Sequence, residues 1–253
     1  LKILITGGNG YIARSLINKL TGYEITSITR SDFDLSNREA TNNWFQDKYF
    51  DVVLHTAILG GSRLKQDDEK VFFQNLSMFY NLLYNQDKFN QLISFGSGAE
   101  LGYPIDPYGL SKNIIRRIVQ NEPKFNNIRI FGVFDENELD TRFIKANIKK
   151  YKNKESLVIH QNKFMDFIYM DDLVSLVKYV IENPKVKEID SCYSQPYTLL
   201  SIAHLINNLS DYKCAIKIEN PKMGEPYVGK IQNLDLPLIG LEKAIKQVYD
   251  KTH

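Results

Sequence analysis

Residues 6–13 read Thr6-Gly7-Gly8-Asn9-Gly10-Tyr11-Ile12-Ala13. Immediately before them, Lys2-Ile3-Leu4-Ile5 has the pattern of a buried strand. Immediately after, an amphipathic pattern predicts a helix over 11–20. A glycine-rich turn between a strand and a helix is a place where a dinucleotide pyrophosphate can rest. Gly7 allows the tight turn, Gly10 lets the backbone approach a pyrophosphate, and Ala13 lets helix and strand pack closely. The helix start offers free N–H groups and the positive end of its dipole. Gly7, Gly10, Tyr11 and Ile12 are therefore candidate cofactor contacts.

Working outward, strand and helix patterns alternate. Strands are expected at 24–29, 51–56, 91–97 and 127–133, and helices at 37–45, 70–86 and 108–121. Such alternation with short turns implies right-handed crossovers and a parallel sheet. The short apolar run Val52-Val53-Leu54 suits a strand covered on both faces. The second half is less regular, with helical patterns near 141–151, 171–182, 199–208 and 241–249. Strand-like pieces lie near 156–159, 189–193 and 215–218, and turn signals across 220–237 suggest a surface wrap. The expectation is an α/β protein: a Rossmann-type doubly wound parallel sheet with a smaller C-terminal substrate-binding lobe. Residues 1–132 and 164–193 are assigned to the dinucleotide-binding domain, and 133–163 and 194–253 to the lobe.

Composition narrows the function classes. The 253 residues are 43% hydrophobic, enough for a sizeable core without disulfide or metal staples. With 32 basic and 30 acidic side chains the net charge is +2, which argues against a nucleic-acid partner. No apolar run approaches the roughly 20 residues needed to cross a bilayer, so no membrane partner is expected. Two isolated cysteines, Cys192 and Cys214, make neither a disulfide framework nor a metal site. The chain opens directly on a strand pattern with no signal peptide, so a reducing, cytoplasmic setting is the expectation.

Three further positions carry chemistry. The second strand ends Ile28-Thr29-Arg30, with an arginine where an acid would grip the ribose hydroxyls of NAD. A guanidinium there can pair with a 2′-phosphate, which favours NADP. Tyr108 and Lys112 stand four apart after Pro107, a residue suited to a helix start, and so share one helix face. A phenol titrates near ~10 by itself, and a neighbouring ammonium draws it toward neutrality, which suits a general acid or base. Ser97 ends the fourth strand, at the carboxyl edge where open α/β sheets bind ligands, and its hydroxyl can bond a substrate carbonyl.

The glycine loop, Asp34-Leu35, Ala57, Asn75, Ser97, and Tyr108 with Lys112 occur in the order found in the extended short-chain dehydrogenase/reductase family, which the chain resembles over nearly its whole length. Within that family it is most similar to the GDP-L-fucose synthase-like nucleotide-sugar reductases, through Ala57-Ile58-Leu59-Gly60-Gly61, Phe73-Gln74-Asn75 and Arg30. The resemblance implies NADP as cofactor, with Arg30, Asp34, Leu35, Ala57, Tyr108 and Lys112 added to its contacts. It implies reduction of the 4-keto group of a nucleotide-linked 4-keto-6-deoxy sugar, with Tyr108 donating the proton, Lys112 holding the nicotinamide ribose and Ser97 aligning the carbonyl. Asn75, Ala99, Arg142 and Lys150 are the substrate-side candidates.

The chain departs from that pattern in places. The fucose synthases epimerise before they reduce, using a cysteine and a histidine; here Ala99 and Arg142 stand in those places, and neither moves a proton readily. Gly98-Ala99 replaces the dehydratases' Asp-Glu pair, with Glu100 one step beyond. Met165 takes the place of an arginine that contacts substrate phosphates in many relatives, and Lys149, Lys150 or Lys163 could supply the charge. The expectation is reduction without epimerase activity. An NDP-sugar epimerase and a non-catalytic NADP-binding sensor or scaffold stay open as alternatives. The helix over 70–86 is apolar around most of its circumference, and a homodimer is expected through it.

Overall fold

The computed structural model describes residues 1–62 and 66–252; His253, the last residue of the expected lobe, lies outside them. The chain forms two compact units, residues 1–129 with 177–189, and residues 130–176 with 190–253.

The first unit begins β1 (Lys2–Thr6), α1 (Tyr11–Lys19), β2 (Glu24–Ile28), α2 (Arg38–Phe45), β3 (Phe50–His55) and α3 (Glu69–Tyr84). It continues β4 (Phe89–Ser97), α4 (Pro107–Asn121) and β5 (Phe125–Ile130). The strands join a parallel six-stranded sheet in the order β2-β1-β3-β4-β5, closed by the short strand Glu188–Asp190. Four of the five residues of β1 are buried, as expected of a strand covered on both faces. Ile3 pairs with Ile25 of β2 on one side and with Val52 of β3 on the other. The direction of winding reverses between β1 and β3, and open α/β sheets bind ligands at that switch point.

Local chemistry explains where the helices start. Asn37, Asp68 and Asp106 are N-caps whose side chains accept from Ala40, Val71 and Gly109 N–H groups. Pro107 follows Asp106 at the first helical position, where its missing N–H costs nothing. Leu4, Val53 and Leu92 of the sheet pack with Phe79 and Leu82 of α3 and with Ile115 and Val119 of α4. Burying such a side chain stabilises by roughly 1.5–3 kcal/mol.

The second unit has its own core, built on Ile144, Ile148, Tyr151, Ile202, Ile206, Ile245 and Val248. These come from the helices Phe143–Lys152, Leu199–Asn207 and Leu241–Lys251. Two small parallel pairs complete it, Leu157–Gln161 with Ile216–Asn220, and Val133–Phe134 with Ile168–Tyr169.

Two expectations change here. The strand expected over 127–133 ends at Ile130, and Val133 pairs with Ile168 instead of continuing the large sheet. Residues 130–132, 164–176 and 190–193, assigned from sequence to the first domain, lie in the second unit. The reason is pairing: Ile168 and Tyr169 bond to Val133 and Phe134, and Met165 bridges to Tyr227. Both cysteines are free and half-buried. Among the described residues no helix is long and apolar enough to cross a membrane.

Candidate active site

The glycine turn leaves β1 through Gly7, at φ +70°. A side chain there would be strained, and its Cβ would lie 2.7 Å from the Ala57 Cα. The turn therefore closes directly on the segment that follows β3. Gly10 donates to the Gly7 carbonyl at 2.8 Å and caps α1 without a side chain. Thr6 ties β1 to β3 from below: its hydroxyl meets His55 Nδ1 at 3.0 Å and accepts from Ala57 N at 3.1 Å. Burial pushes the His55 ring down to about 3, with the Lys112 charge adding to it, so the ring is neutral.

A cavity of about 260 Å³ opens above this turn. It brings together Gly7, Gly10, Arg30, Asp34, Leu35 and Ala57, all singled out from sequence. Ile28, Phe33, Ile58 and Met78 add apolar wall, and Asn9 adds a polar group. Tyr11 and Ile12 head α1 and are not part of that lining. The loop between β2 and α2 folds on itself, with Asp32 accepting from Thr29 N and Oγ1 and Asp34 accepting from Ser36 N and Oγ. The Ser36 bonds and then the Arg30 charge hold Asp34 below the usual carboxylate range. Arg30 is exposed at the rim.

Ser97, Tyr108 and Lys112 come from the same unit. Ser97 ends β4, is 9% exposed, and accepts from Ala99 N at 3.2 Å. Tyr108 is the second residue of α4, half-buried, and its ring lies against Gly61 so closely that a Cβ there would sit 2.8 Å from ring carbons. Gly61 has φ +73°, and its N–H donates to Asp67 Oδ2 at 2.9 Å. Lys112 lies one turn further along α4, 6% exposed, its ammonium 6.0 Å from the Tyr108 ring centre. Lys112 Nζ donates to the Phe95 carbonyl at 2.5 Å. Burial pushes the Lys112 ammonium down to about 8, against the Glu100 carboxylate, which favours the charged form.

Asn75 is 1% exposed and clamps the segment after β3, donating to and accepting from Leu59 and donating to Ser111 Oγ at 3.2 Å. Ser111 in turn donates to the Tyr108 carbonyl at 2.7 Å, so Asn75 links the segment after β3 to the Tyr108 turn.

Comparison with known proteins places the chain in a family. The model of the NAD dependent epimerase/dehydratase family matches residues 3–193. The chain belongs to that family. It is 22% identical to a CDP-abequose synthase of Yersinia pseudotuberculosis over 241 residues, 83% of this chain and 85% of that protein. It is 32% identical to a GDP-L-fucose synthase of Azorhizobium caulinodans over 107 residues, 41% of this chain and 34% of that protein. A GDP-mannoheptose C4 reductase from Campylobacter jejuni, solved with NADP bound, superposes with a TM-score of 0.81 at 16% identity, covering 99% of this chain and 97% of that one. At that identity the likeness shows the fold.

The remaining sequence candidates of this epimerase/dehydratase chain belong to the second unit. Arg142 is exposed at the N-cap of the helix Phe143–Lys152. It lies near Glu138, whose carboxyl burial pushes up to about 8. Lys150 stands 3.7 Å from Glu155, Lys149 is bonded to Asp140, and Lys163 lies over the Tyr227 ring. Met165 is 4% exposed and belongs to that unit's core. Sequence reasoning missed Arg129, a charged residue 4% exposed within β5. The available signal was an arginine in an otherwise buried strand, which requires a carboxylate partner.

The burial of Lys112 is directly testable. In a ¹³Cε titration of the lysine side chains, one resonance is expected to titrate near 8 and to vanish in Lys112→Met. Titration of that resonance at the ordinary 10.5 would contradict the buried environment.

Proposed function

We propose that this chain reduces the 4-keto group of a nucleotide-linked 4-keto-6-deoxy sugar with NADPH, without epimerising it. The observation that carries this is Lys112: a buried ammonium one turn from Tyr108, on a helix beside the strand end that bears Ser97. The cofactor's fit is supported by the cradle at Gly7, where a Cβ would fill the space, and by the cavity that joins apolar walls to Arg30. Gly7, Gly10 and the head of α1, with Tyr11 and Ile12, would hold the pyrophosphate. Leu35, Ile58 and Met78 would hold the adenine, with Asp34 beside it. Arg30 would pair with the 2′-phosphate. NADPH, when bound, supplies the hydride.

The chain's own groups supply orientation and the proton. Ser97 Oγ donates to the sugar's C4 oxygen and holds the carbonyl in line. Tyr108 Oη gives its proton to that oxygen as negative charge develops. The Lys112 ammonium favours the resulting phenolate and would hold the nicotinamide ribose. Ala99 and Arg142 offer no proton-transfer group, which supports reduction without epimerisation. On the substrate side, Lys150 would supply charge and Asn75 would act through the segment it clamps. The relatives' names point the same way, toward nucleotide-linked sugars.

The deciding assay is NADPH oxidation against GDP-, dTDP-, UDP- and CDP-linked 4-keto-6-deoxy sugars in heavy water, with NMR of the product. Turnover on one of them with C3 and C5 unlabelled is expected; deuterium at either carbon would reveal epimerisation. Tyr108→Phe is expected to lose roughly 10²–10⁴ in turnover while keeping cofactor affinity. Unchanged turnover removes Tyr108 from the reaction.

Arg30 sets the cofactor preference through charge-assisted bonds of roughly 1.5–3 kcal/mol. Arg30→Ser is expected to cut the NADPH-over-NADH preference about tenfold or more. Equal efficiency of the two cofactors with the unaltered protein refutes that role.

We also propose a homodimer through α3, which turns Val71, Met78 and Leu82 inward yet leaves Phe73, Tyr80 and Tyr84 exposed along one stripe. Sedimentation velocity at micromolar protein is expected to show a dimer that Phe73→Glu dissociates. A monomer at every concentration rules it out.

A further inference from the structure

We propose that Glu100 is a positioning residue for this reaction: its carboxylate holds the Ser97 N–H, and with it the Ser97 hydroxyl, in register with the helix that carries Tyr108 and Lys112. The inference rests on the reduction proposed above.

Glu100 is 1% exposed and closes the single turn of 3₁₀ helix, Gly98–Glu100, that follows β4. Its Oε2 accepts from Ser97 N at 3.1 Å, while Ser97 Oγ accepts from Ala99 N, a reciprocal capping box. Its Oε1 accepts from Asn127 Nδ2 at 2.8 Å and from Arg129 Nε at 2.7 Å, both on β5. Its carbonyl accepts from Asn113 Nδ2 at 2.7 Å, and Asn113 is the residue after Lys112 on α4. One residue is thus bonded to the end of β4, to β5 and to the helix of the candidate acid.

The carboxylate is itself held. Arg129 donates from Nη2 to Glu188 Oε1 at 3.1 Å, and Glu188 accepts from Arg116 Nε at 2.8 Å. Charge alternates from the buried Glu100 outward to the half-buried Glu188 and Arg116. At Gly96 an added Cβ would lie 2.6 Å from Glu100 Oε2, so the carboxylate fills the space beside β4. Both oxygens are engaged and the group is sealed from solvent, which excludes it as a proton carrier to substrate. Nor is a buried ion pair needed for stability alone, since apolar pairs of similar volume often replace one without loss. What an apolar pair cannot do is accept the N–H of the residue that bears the candidate hydroxyl. A displacement of about 1 Å in such a group costs on the order of 10²-fold in rate.

The test compares Ser97→Ala with the double variant Glu100→Leu/Arg129→Met, which removes both halves of the buried pair together, while Glu188 keeps Arg116 and Lys112 keeps the Phe95 carbonyl. The double variant is expected to remain folded and to bind NADP, with a lower urea midpoint because the Ser97 N–H and Asn127 Nδ2 lose their acceptor. Its Ser97 amide, followed by ¹⁵N NMR, is expected to exchange with solvent roughly tenfold faster or more. On the sugar found in the substrate panel, kcat is expected to fall about 10–100-fold with the KM for NADPH unchanged. Unchanged Ser97 exchange, or full kcat in the folded double variant, overturns the proposal. Should the double variant not fold, Glu100→Asp keeps the charge but is one methylene short of Ser97, and the same two readouts decide. Full turnover in Ser97→Ala would defeat the proposed chemistry instead, while the exchange data would still judge what Glu100 holds.

Discussion

Lys112 keeps its ammonium almost out of water, and the first unit is arranged around that fact. An ammonium moved from water into protein is costly unless acceptors and opposite charge meet it. Here the Phe95 carbonyl of β4 accepts from it, and the Glu100 carboxylate favours its charged form. The bond to Phe95 sets the height of α4 along the sheet. Ile115 and Val119, on the same helix, then meet the apolar face that α3 also covers. Tyr108 follows one turn earlier, where its ring has room only because Gly61 carries no side chain. The position of the phenol is thus a consequence of where the amine is buried.

Charges in this unit divide by exposure, and the division matches what each can do. Arg30 stands at the rim of the cavity, open to a ligand it would read. Arg129, Glu100 and Lys112 are each under a tenth exposed and bond to protein atoms. Groups of the first kind select a molecule by its charge, as exposed guanidinium selects phosphate. Groups of the second kind hold geometry, because a buried charge tolerates little displacement from its partner. Neutral His55 belongs with the second kind: it joins Thr6 and so helps align β1 with β3 beneath the glycine turn.

Ala99 and Met165, read from sequence as departures from the family pattern, also acquire physical content. Ala99 lies in the turn that Glu100 closes, where its N–H serves the Ser97 hydroxyl. Met165, where the family resemblance led the sequence reading to expect an arginine, is core, packed with the second unit's aromatic and aliphatic side chains. A side chain enclosed by apolar neighbours makes no charge contact with a ligand.

Much was legible in the chain itself. Short apolar runs, helical periodicity and glycine punctuation gave β1 to β4, the helices between them and the parallel sheet, because those signals are local and follow the geometry of each element. The glycine turn, Arg30, Ser97, and Tyr108 with Lys112 were visible for the same reason: each lies at a strand end or on one helix face. Other features were not visible. That Arg129 reaches Glu100 across 29 positions, and that Val133 leaves the large sheet to pair with Ile168, depend on contacts between residues far apart in sequence. Whether a given glutamate or methionine meets water, an arginine or a core is decided by what the folded chain brings beside it. Local pattern determined the elements and their order; burial and long-range pairing, which exist only after the chain closes on itself, decided which charges hold the site together.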